Sequence, residues 1–579
     1  MLNMNKKKLL MIMVLTAMTL GGCSSENTDE ATKDISVETK EPTVDIKELQ
    51  DINDVAIVED ETVYSADDPE SIVCFYVTVR KGAAGSSTDH TFSEVNNVSK
   101  FEDDEHVDVE VKADALVQVG DETGPLNQML GYGETINNAT IEVRGNSTST
   151  EPQKSYTLKM YDNADTWRGQ KKIALVKSIY DSTRFRNKLF FDLLKDVPDV
   201  PSLRTQFVRL FIKDETSGQS AYTDYGLFTQ VETPNKRYLN NHGLDGSGYL
   251  YKARSFNFET NDLIKDFDDP DFDLTKFETV LSCNGKEDNT KLIEMIKAVN
   301  DSSMDIDTVV DKYFDRDNYL TWLAYNILMG NIDTTMQNFY LYSPLNGDKW
   351  YFIPWDGDGS LYGYEYEVKN ITDTSTWEKG ISNYWGVILH QKFLSIESNR
   401  QQLTEKIEML KNQYLTKEKV TSMISMYDGV VGNYAVSMPD LLHQKVTPEQ
   451  RTDIVNKLYD EIEVNYKNYY QTLEGLMPFF LYEPIVNQGS VNFTWGESYD
   501  MQSKLVNYTF SISTTPDFSN VIHQEDNIRS FSVDVTGLTP GTYYWKVIAT
   551  TEDGRIETAF NQIYADGEYY EGEESLVIQ

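Results

Sequence analysis

The sequence is short of the residues that build the commonest metal and nucleophile sites. Its 579 residues include three cysteines and six histidines, with no Cys-x-x-Cys, His-Glu-x-x-His or Gly-x-Ser-x-Gly motif. Zinc-peptidase, serine-hydrolase and thiol-redox chemistry therefore lose their usual signatures. Apart from Cys23, only Cys74 and Cys283 are present, and they could form one disulfide bond in an exported protein or stay as two free thiols.

Basic residues are also scarce, with 52 Lys and Arg against 93 Asp and Glu, which gives a net charge of −41. Such a surface repels nucleic acid, so we expect no nucleic-acid partner, and it favours a basic partner protein. The chain is nevertheless 40% hydrophobic and 12% aromatic, which indicates several folded domains rather than disorder.

One long apolar run lies at the N terminus, and it is too short to cross a bilayer comfortably. Three lysines precede the apolar residues 9–20, and Leu20-Gly21-Gly22-Cys23 follows. This order is typical of a bacterial lipoprotein signal peptide. We predict that residues 1–22 are removed and that Cys23 is lipidated, which would anchor the protein at the outer face of the cytoplasmic membrane. The mature net charge would be −44, because three lysines and no acid are lost.

The rest of the chain divides by composition. Residues 23–70, rich in Glu, Asp, Ser and Thr, predict a disordered acidic tether. In residues 71–478, strand-like runs come first and helical periodicity follows, which predicts an α+β domain with two lobes and a cleft. Residues 479–565 alternate apolar and polar positions and predict a small all-β sandwich that resembles a fibronectin type III module. Residues 566–579 are expected to form a loose acidic tail.

Two side chains of the β module are assigned to its interior and one to its corner turn. Trp495 and Trp545 are expected in the core rather than at a carbohydrate-binding surface. Tyr544, in the run Leu538 to Tyr544, is expected to be the corner tyrosine of the sandwich.

The most informative stretch is residues 330–359. Asp333 and Asn338 follow an apolar helical run, and two short aromatic strands then lead to Asp356. Phosphoryl transfer needs a carboxylate that orients the attacking hydroxyl, an amide oxygen for a metal ion and a second carboxylate that joins the metal to the phosphates. Alternatively, Asp333 and Asn338 are ordinary turn residues without a catalytic role. A calcium loop from Asp356 ranks second, since Leu361 stands where an EF-hand needs glycine.

A second stretch, residues 139–161, predicts a hairpin with a polar turn and Lys154 in its second strand. Backbone N–H groups of the turn and this lysine could neutralise nucleotide phosphates. Glu232, which ends the predicted strand 225–232, is expected to pair with Lys154. An ordinary exposed hairpin and a surface glutamate are the alternatives.

Four separated stretches resemble the CotH kinase family, the secreted atypical kinases named after spore coat protein H. They are VRGNSTSTEPQKSYTLK (143–159), YGLFTQVETPNKRYL (225–239) with YLYKA, NIDTTMQNFYLY (331–342) and WYFIPWDGDGSLYG (350–363). The resemblance covers about residues 71–478. It implies a diverged, two-lobed protein-kinase-like fold that uses ATP and Mg²⁺ to phosphorylate Ser or Thr in exported proteins.

Carried over position by position, the resemblance makes Asp333 the catalytic base and Asn338 and Asp356 the Mg²⁺ ligands. It makes Lys154 the phosphate-binding lysine and places Arg144 and Ser147 in the turn that covers the nucleotide. The sequence departs from the family at two positions: Gln153 replaces a lysine, which leaves Lys159 as a substitute for Lys154, and Gly357 replaces the usual aromatic residue between the carboxylates.

The sequence thus predicts a lipid-anchored extracellular protein kinase that acts on exported or surface proteins, with a basic or serine-rich protein as substrate. The alternative is a catalytically silent, kinase-like adhesion or scaffold protein, which the anchor, tether and β module would equally serve.

Overall fold

The protein is described here by a computed structural model that covers residues 59–579, apart from 103–104, 107–109, 146 and 372–373, and apart from the side chains at 101–102, 105–106 and 147. The predicted signal peptide and Cys23 lie outside the described residues. No helix in the described part of the chain combines the length and apolar character that crossing a bilayer requires.

The first lobe is built on an eight-stranded sheet, whose strands are rich in β-branched and aromatic residues. Its order is β1-β9-β10-β8-β7-β6-β4-β5, and an additional pairing of β1 with β4 closes the sheet on itself around its own apolar core. The strands and helices of this region are β1 Ile72–Arg80, α1 Phe92–Asn96, β2 Phe101–Glu102, β3 Glu105–His106, β4 Lys112–Asp121, β5 Gly124–Pro125, β6 Ala139–Arg144, β7 Ser155–Met160, β8 Lys172–Val176, α2 Arg186–Leu194, β9 Thr205–Asp214 and β10 Thr223–Glu232.

The second lobe is mainly helical and has a separate core. A four-stranded sheet of order β12-β11-β13-β14 lies within it. Its elements are α3 Lys236–Asn241, β11 Tyr249–Ala253, α4 Leu274–Phe277, β12 Leu281–Cys283, α5 Thr290–Asn300, α6 Ile306–Tyr313, α7 Arg316–Met329, β13 Phe339–Ser343, β14 Tyr351–Pro354, α8 Gly363–Lys369, α9 Ile388–Leu394, α10 Glu397–Met409, α11 Lys417–Ala435 and α12 Pro448–Thr472.

Helix α7 is the central element of this lobe. It is apolar on all sides and is buried from Asn318 to Met329, as a helix inside a core must be. Asp315 caps its first turn through the N–H of Asn318, and Gly330, at φ 59°, ends it in a left-handed conformation. The predicted loop with Asp333 therefore starts from a rigid, buried point.

The C-terminal region forms two facing antiparallel sheets around a third core, as a small β-sandwich does. One has the order β15-β16-β19, and the other has β18-β17-β20-β21 with β24 also paired to β20. The strands are β15 Leu481–Asn487, β16 Ser490–Trp495, β17 Val506–Ser513, β18 Val521–Ile528, β19 Ser532–Thr536, β20 Gly541–Thr551, β21 Ile556–Glu557, β22 Gln562–Ala565, β23 Glu568–Glu571 and β24 Glu573–Ile578. The predicted α+β fold with a terminal all-β module is confirmed.

Two details of the β module differ from the prediction. Tyr543, rather than Tyr544, turns back to donate a hydrogen bond of 2.8 Å from its hydroxyl to the Thr539 carbonyl, because Tyr543 is the residue of the pair that faces inward. The predicted loose tail is ordered, since β24 pairs with β20 along its length. Trp495 and Trp545 are buried, as expected.

Residues 59–70, at the end of the predicted tether, are ordered. Asp67 forms ion pairs with Arg204 at 2.5 Å and with Arg168 and Lys195 at 3.2 Å each. The composition of this segment indicated disorder because Asp67 has no partner nearby in the sequence; its three cations lie about 100 or more positions further along the chain.

The β module contacts the second lobe close to the segment that follows α8. Thr376 donates from its N–H and its hydroxyl to Glu571, at 2.9 and 2.7 Å. The ring of Trp377 meets that of Phe560 edge-on, with centroids 4.9 Å apart. Cys74 and Cys283 are both free thiols, which settles the alternative left open by the sequence.

Candidate active site

The candidate site begins at the loop between α7 and β13. Asn331 donates from its amide to Asn326 on α7 at 3.0 Å, and Asn383 donates to the Ile332 carbonyl at 3.1 Å. These bonds fix the backbone on the N-terminal side of Asp333. The position of Asp333 is thus set by side chains from two different parts of the second lobe.

Asp333 and Asn338 face each other across this loop. Asn338 has φ 60°, a left-handed conformation that asparagine tolerates, and donates to the Asp333 carboxylate at 2.8 Å and to its carbonyl at 3.0 Å. Gln337 donates to the other carboxylate oxygen at 2.5 Å. The amide nitrogen of Asn338 is occupied in this way, and its oxygen is the atom left to bind a cation.

Asp333 lies at the mouth of the cleft and is exposed, but the walls around its carboxylate displace much of the water. This desolvation raises the pKa of Asp333 to about 6; the charge of Asp356 adds to it, whereas the hydrogen bonds from Gln337 and Asn338 oppose it. The interaction with Asp356 means that the two predicted carboxylates converge on one region.

Asp356 follows β14 directly and has φ 58°. Asp358, two residues on, shares a hydrogen bond with Asp356; burial first, and then the charge and hydrogen bond of Asp356, raise the pKa of Asp358 well above its ordinary range. Two carboxylates held this close repel each other unless a proton or a cation lies between them. The sequence indicated Asp358 only as a position of the alternative calcium loop and not as a Mg²⁺ ligand, although the repeat Asp-Gly-Asp-Gly was the available signal.

Gly357, where the family has an aromatic residue, packs against helix α2. A Cβ atom at this position would come closer than 3.0 Å to the ring of Phe190, which already fills the space. The turn therefore leaves no room for a side chain at position 357.

Helix α2 is joined to the segment after the carboxylates by a buried ion-pair network. Arg186 is fully buried and bonds to Asp181 at 2.6 Å and to Glu365 on α8, and it donates to the Leu361 carbonyl at 3.2 Å. Arg186, Asn187 and Lys188 are all buried, because α2 is enclosed by both lobes.

Cations lie opposite the carboxylates. The guanidinium of Arg144, at the end of β6, is 5.6 Å from the ring centroid of Trp355, and the ammonium of Lys252, on β11, is 5.3 Å from it. Burial lowers the pKa of Lys252 to about 8, against the opposing charge of Asp356, and burial also lowers the pKa of Arg144, again against Asp356. Lys252 was missed as a site residue, although the YLYKA motif contains it.

The other predicted nucleotide-binding residues are placed differently. Lys154 lies just before β7 and donates to the Ser149 carbonyl at 2.5 Å. Glu232 accepts from the Arg204 N–H at 3.2 Å and contacts Nε2 of His242 at 2.9 Å. The expected Lys154–Glu232 ion pair is therefore wrong, because each side chain has a nearer partner. The side chain of Ser147 lies outside the described part of the chain.

The available ligands suit Mg²⁺ better than a metal ion whose ligands all come from the protein. Within the described residues, no three Asp, Glu, His or Cys side chains form a group that could hold a metal ion. Mg²⁺ usually takes one or two carboxylates and completes its shell with water and substrate phosphates. Asp356, Asp358 and the amide oxygen of Asn338 can supply such a partial shell, and Arg144 and Lys252 can face the phosphates.

The protein has two lobes with separate cores, and carboxylates face cations where the lobes meet. These are the features of a kinase-like protein. The chain belongs to the CotH kinase family, because the family model described as CotH kinase protein matches residues 141–479, more than half of the chain.

Comparisons with known proteins gave one match in sequence and one in structure that are described here. The chain is 26% identical over 223 residues to the inner spore coat protein H of Bacillus subtilis (strain 168), a match that covers 38% of this chain and 58% of that protein. It thus spans just over half the length of this relative. A crystal structure of the Helicobacter pylori proinflammatory kinase CtkA matches with 12% identity and a TM-score of 0.26, over 55% of this chain and 94% of that one.

Proposed function

We propose that the protein is a Mg²⁺-dependent protein kinase that transfers the γ-phosphate of ATP to serine or threonine hydroxyls of exported or surface proteins. The observation that carries this proposal is the convergence of Asp333 and Asn338 with Asp356 and Asp358 at one place between the lobes. The family to which the chain belongs supports it.

Each group has a role in the transfer. Asp333 accepts the proton of the acceptor hydroxyl, and Asn338 keeps its carboxylate in position. Asp356, Asp358 and the Asn338 oxygen would hold Mg²⁺, and the ion would supply positive charge that neutralises the phosphates. Arg144 and Lys252 bind phosphate oxygens from the opposite side. The assignments of Lys154 and Ser147 to the nucleotide stay predictions from the family resemblance.

The test is transfer of labelled phosphate from ATP by the purified protein. Asp333→Asn is expected to slow transfer by a factor of about 10² to 10⁴, because the base is lost. Asp356→Asn is expected to abolish the Mg²⁺-dependent transfer, because a ligand of the metal ion is lost. Asp348→Asn, an exposed carboxylate at the far end of the same hairpin, is the matched control and should leave transfer unchanged. Unchanged transfer in both site variants would refute the proposal.

We also propose that Cys23 carries the lipid that holds the kinase at the outer face of the bacterial cytoplasmic membrane. The signal-like residues 1–22 support this location, and the spore coat relative suggests a coat association. The net charge of −41 favours a basic substrate protein, and a serine-rich one would supply the acceptor hydroxyls. Membrane retention of the wild-type protein, lost in Cys23→Ala, would test the anchor.

A catalytically silent scaffold is the second candidate, and one observation favours it. The cavity next to Arg144, Asp356 and Asp358 has a volume of only about 60 Å³, whereas small-molecule sites usually have about 300 to 1,000 Å³. Nucleotide binding at this point would require the lobes to separate. A thermal-shift titration distinguishes the two: stabilisation by ATP with Mg²⁺ supports the kinase, no stabilisation supports the scaffold, and stabilisation by Ca²⁺ alone supports the calcium loop.

A further inference from the structure

A cavity of about 340 Å³ adjoins the candidate site on the side of the second lobe. Ile332 and Gly359 line it, and these residues are the immediate neighbours of Asp333 and Asp358. The smaller cavity, with Arg144 and Trp355, reaches the same turn through Asp356 and Asp358. The acidic turn, Asp356 to Gly359, thus lies between two cavities. The smaller one contains Arg144, and the larger one does not.

This placement suits the two reactants of a phosphoryl transfer. The attacking and leaving oxygens lie roughly in line on opposite sides of the phosphorus. When the nucleotide phosphates occupy the side with Arg144 and Lys252, the acceptor hydroxyl must approach from the other side, where the larger cavity opens.

The polar lining of the larger cavity is incompletely satisfied. Asn331 is 2% exposed, and its Oδ1 is buried without a hydrogen-bond partner in the part of the chain that the structure describes. This oxygen would lie 3.4 Å from a Cβ at Gly359, so it faces the same wall of the cavity. A buried acceptor without a donor is rare in folded proteins, and a peptide N–H is a donor of suitable size.

The apolar lining is exposed. Val464 on α12 is 46% exposed and Ile371 is 36% exposed, and both line the cavity together with the ring of Tyr366. Apolar side chains at the wall of a cavity next to a reactive site favour an apolar group on the ligand.

We propose that this cavity binds the polypeptide that carries the accepting hydroxyl, in an extended conformation, with a peptide N–H on Asn331 Oδ1 and an apolar side chain next to the accepting residue packed on Val464. This inference rests on the proposed kinase function. In the step it serves, a bond forms between the hydroxyl oxygen and the γ-phosphorus, the bond to the bridging oxygen of ADP breaks, and the proton passes to Asp333.

The test uses the full-length mature protein, ATP with Mg²⁺ and a peptide library that has one central serine and randomised flanking positions. Val464→Trp fills the cavity from an exposed helix position, so the fold should tolerate it. We expect its KM for peptide to rise about tenfold or more, with the hydrolysis of ATP in the absence of peptide unchanged. Asn456→Trp, also exposed on α12 but away from the cavity, is the matched control and should behave as the wild type.

A second variant reports on specificity rather than on blockage. Val464→Asp should shift the preferred residue next to the serine from apolar to basic, a change that a purely structural role of Val464 would not produce. Equal peptide phosphorylation by the wild type and Val464→Trp, or an unchanged preference in Val464→Asp, would overturn the inference. If the wild type neither hydrolyses ATP nor phosphorylates any peptide, the kinase function fails, and the inference fails with it.

Discussion

The ring of Phe190 on α2 occupies the space that a side chain at position 357 would need. The glycine between Asp356 and Asp358 is therefore a packing requirement. Helix α2 and the acidic turn are fitted to each other, so a change in either one is expected to move the carboxylates.

Gly357→Ala should lower stability by about 1 to 3 kcal/mol, because the added methyl group overlaps the Phe190 ring in a packed core. A lower melting temperature would show the loss of stability, and slower phosphate transfer would show that the carboxylates have moved. Gly429→Ala is the control, since a Cβ at this helical position meets open space and should be neutral or slightly stabilising. If the overlap is the cause, Gly357→Ala should cost less stability in a Phe190→Ala background than in the wild type.

Lys252 and Lys154 offer a direct comparison of two candidate phosphate-binding lysines. We expect Lys252→Met to weaken the binding of ATP with Mg²⁺ about tenfold or more, since its ammonium faces Asp356 and Trp355. Lys154→Met should have a smaller effect, because this side chain is held by the Ser149 carbonyl. Calorimetric titration measures the affinity of each variant for ATP with Mg²⁺. A larger loss of affinity in Lys154→Met would restore the assignment made from the family resemblance.

Asp67 should stabilise the first lobe although it lies in the predicted acidic tether. Asp67→Asn removes the shared partner of three largely buried cations, so we expect a loss of about 2 to 4 kcal/mol. Melting temperature and the rate of proteolysis near residue 70 are the measurements. Asp68→Asn, its exposed neighbour, should change stability by less than about 0.5 kcal/mol. Equal effects of the two changes would contradict the buried role of Asp67.

The pH dependence of stability should report on His242. Burial alone would lower its pKa, but the hydrogen bonds and charges of Glu232 and Glu59 outweigh burial and raise the pKa to about 9. Because the folded pKa lies above the ordinary value of 6.5, the stabilisation is fully present below about pH 6.5 and is lost as pH rises through about 9.

The contribution of His242 is on the order of 3 kcal/mol. His242→Gln should therefore remove most of the fall in melting temperature between pH 6.5 and pH 9.5 that the wild type shows. His443→Gln, in the loop before α12, is the control. A His242→Gln variant with the pH profile of the wild type would show that the ion pairs do not form.

The sequence was most informative where the site depends on local spacing. Asp333, Asn338 and Asp356 lie on one loop and one hairpin, so their order along the chain already indicates that they can meet. Lys252 could not be found in this way: it reaches the site because β11 pairs with β13, opposite Tyr340, and residue spacing carries no signal for that pairing.

Errors in the prediction have the same origin. Glu232 was assigned to Lys154 because it ends a strand with apolar neighbours, which suggested a position at the rim of the domain, whereas its actual partner, His242, directly follows α3. The acidic tail was expected to be loose because its composition is polar, yet backbone pairing between β24 and β20 does not depend on apolar side chains.

The contacts of Glu571 with Thr376 and of Phe560 with Trp377 have a practical consequence for dissecting this protein. The family match stops at residue 479, but a fragment cut there would expose the indole of Trp377 and free the segment around it, which lines the larger cavity. The β module therefore stabilises the second lobe, and a fragment that ends at residue 479 is expected to be less stable than the intact protein.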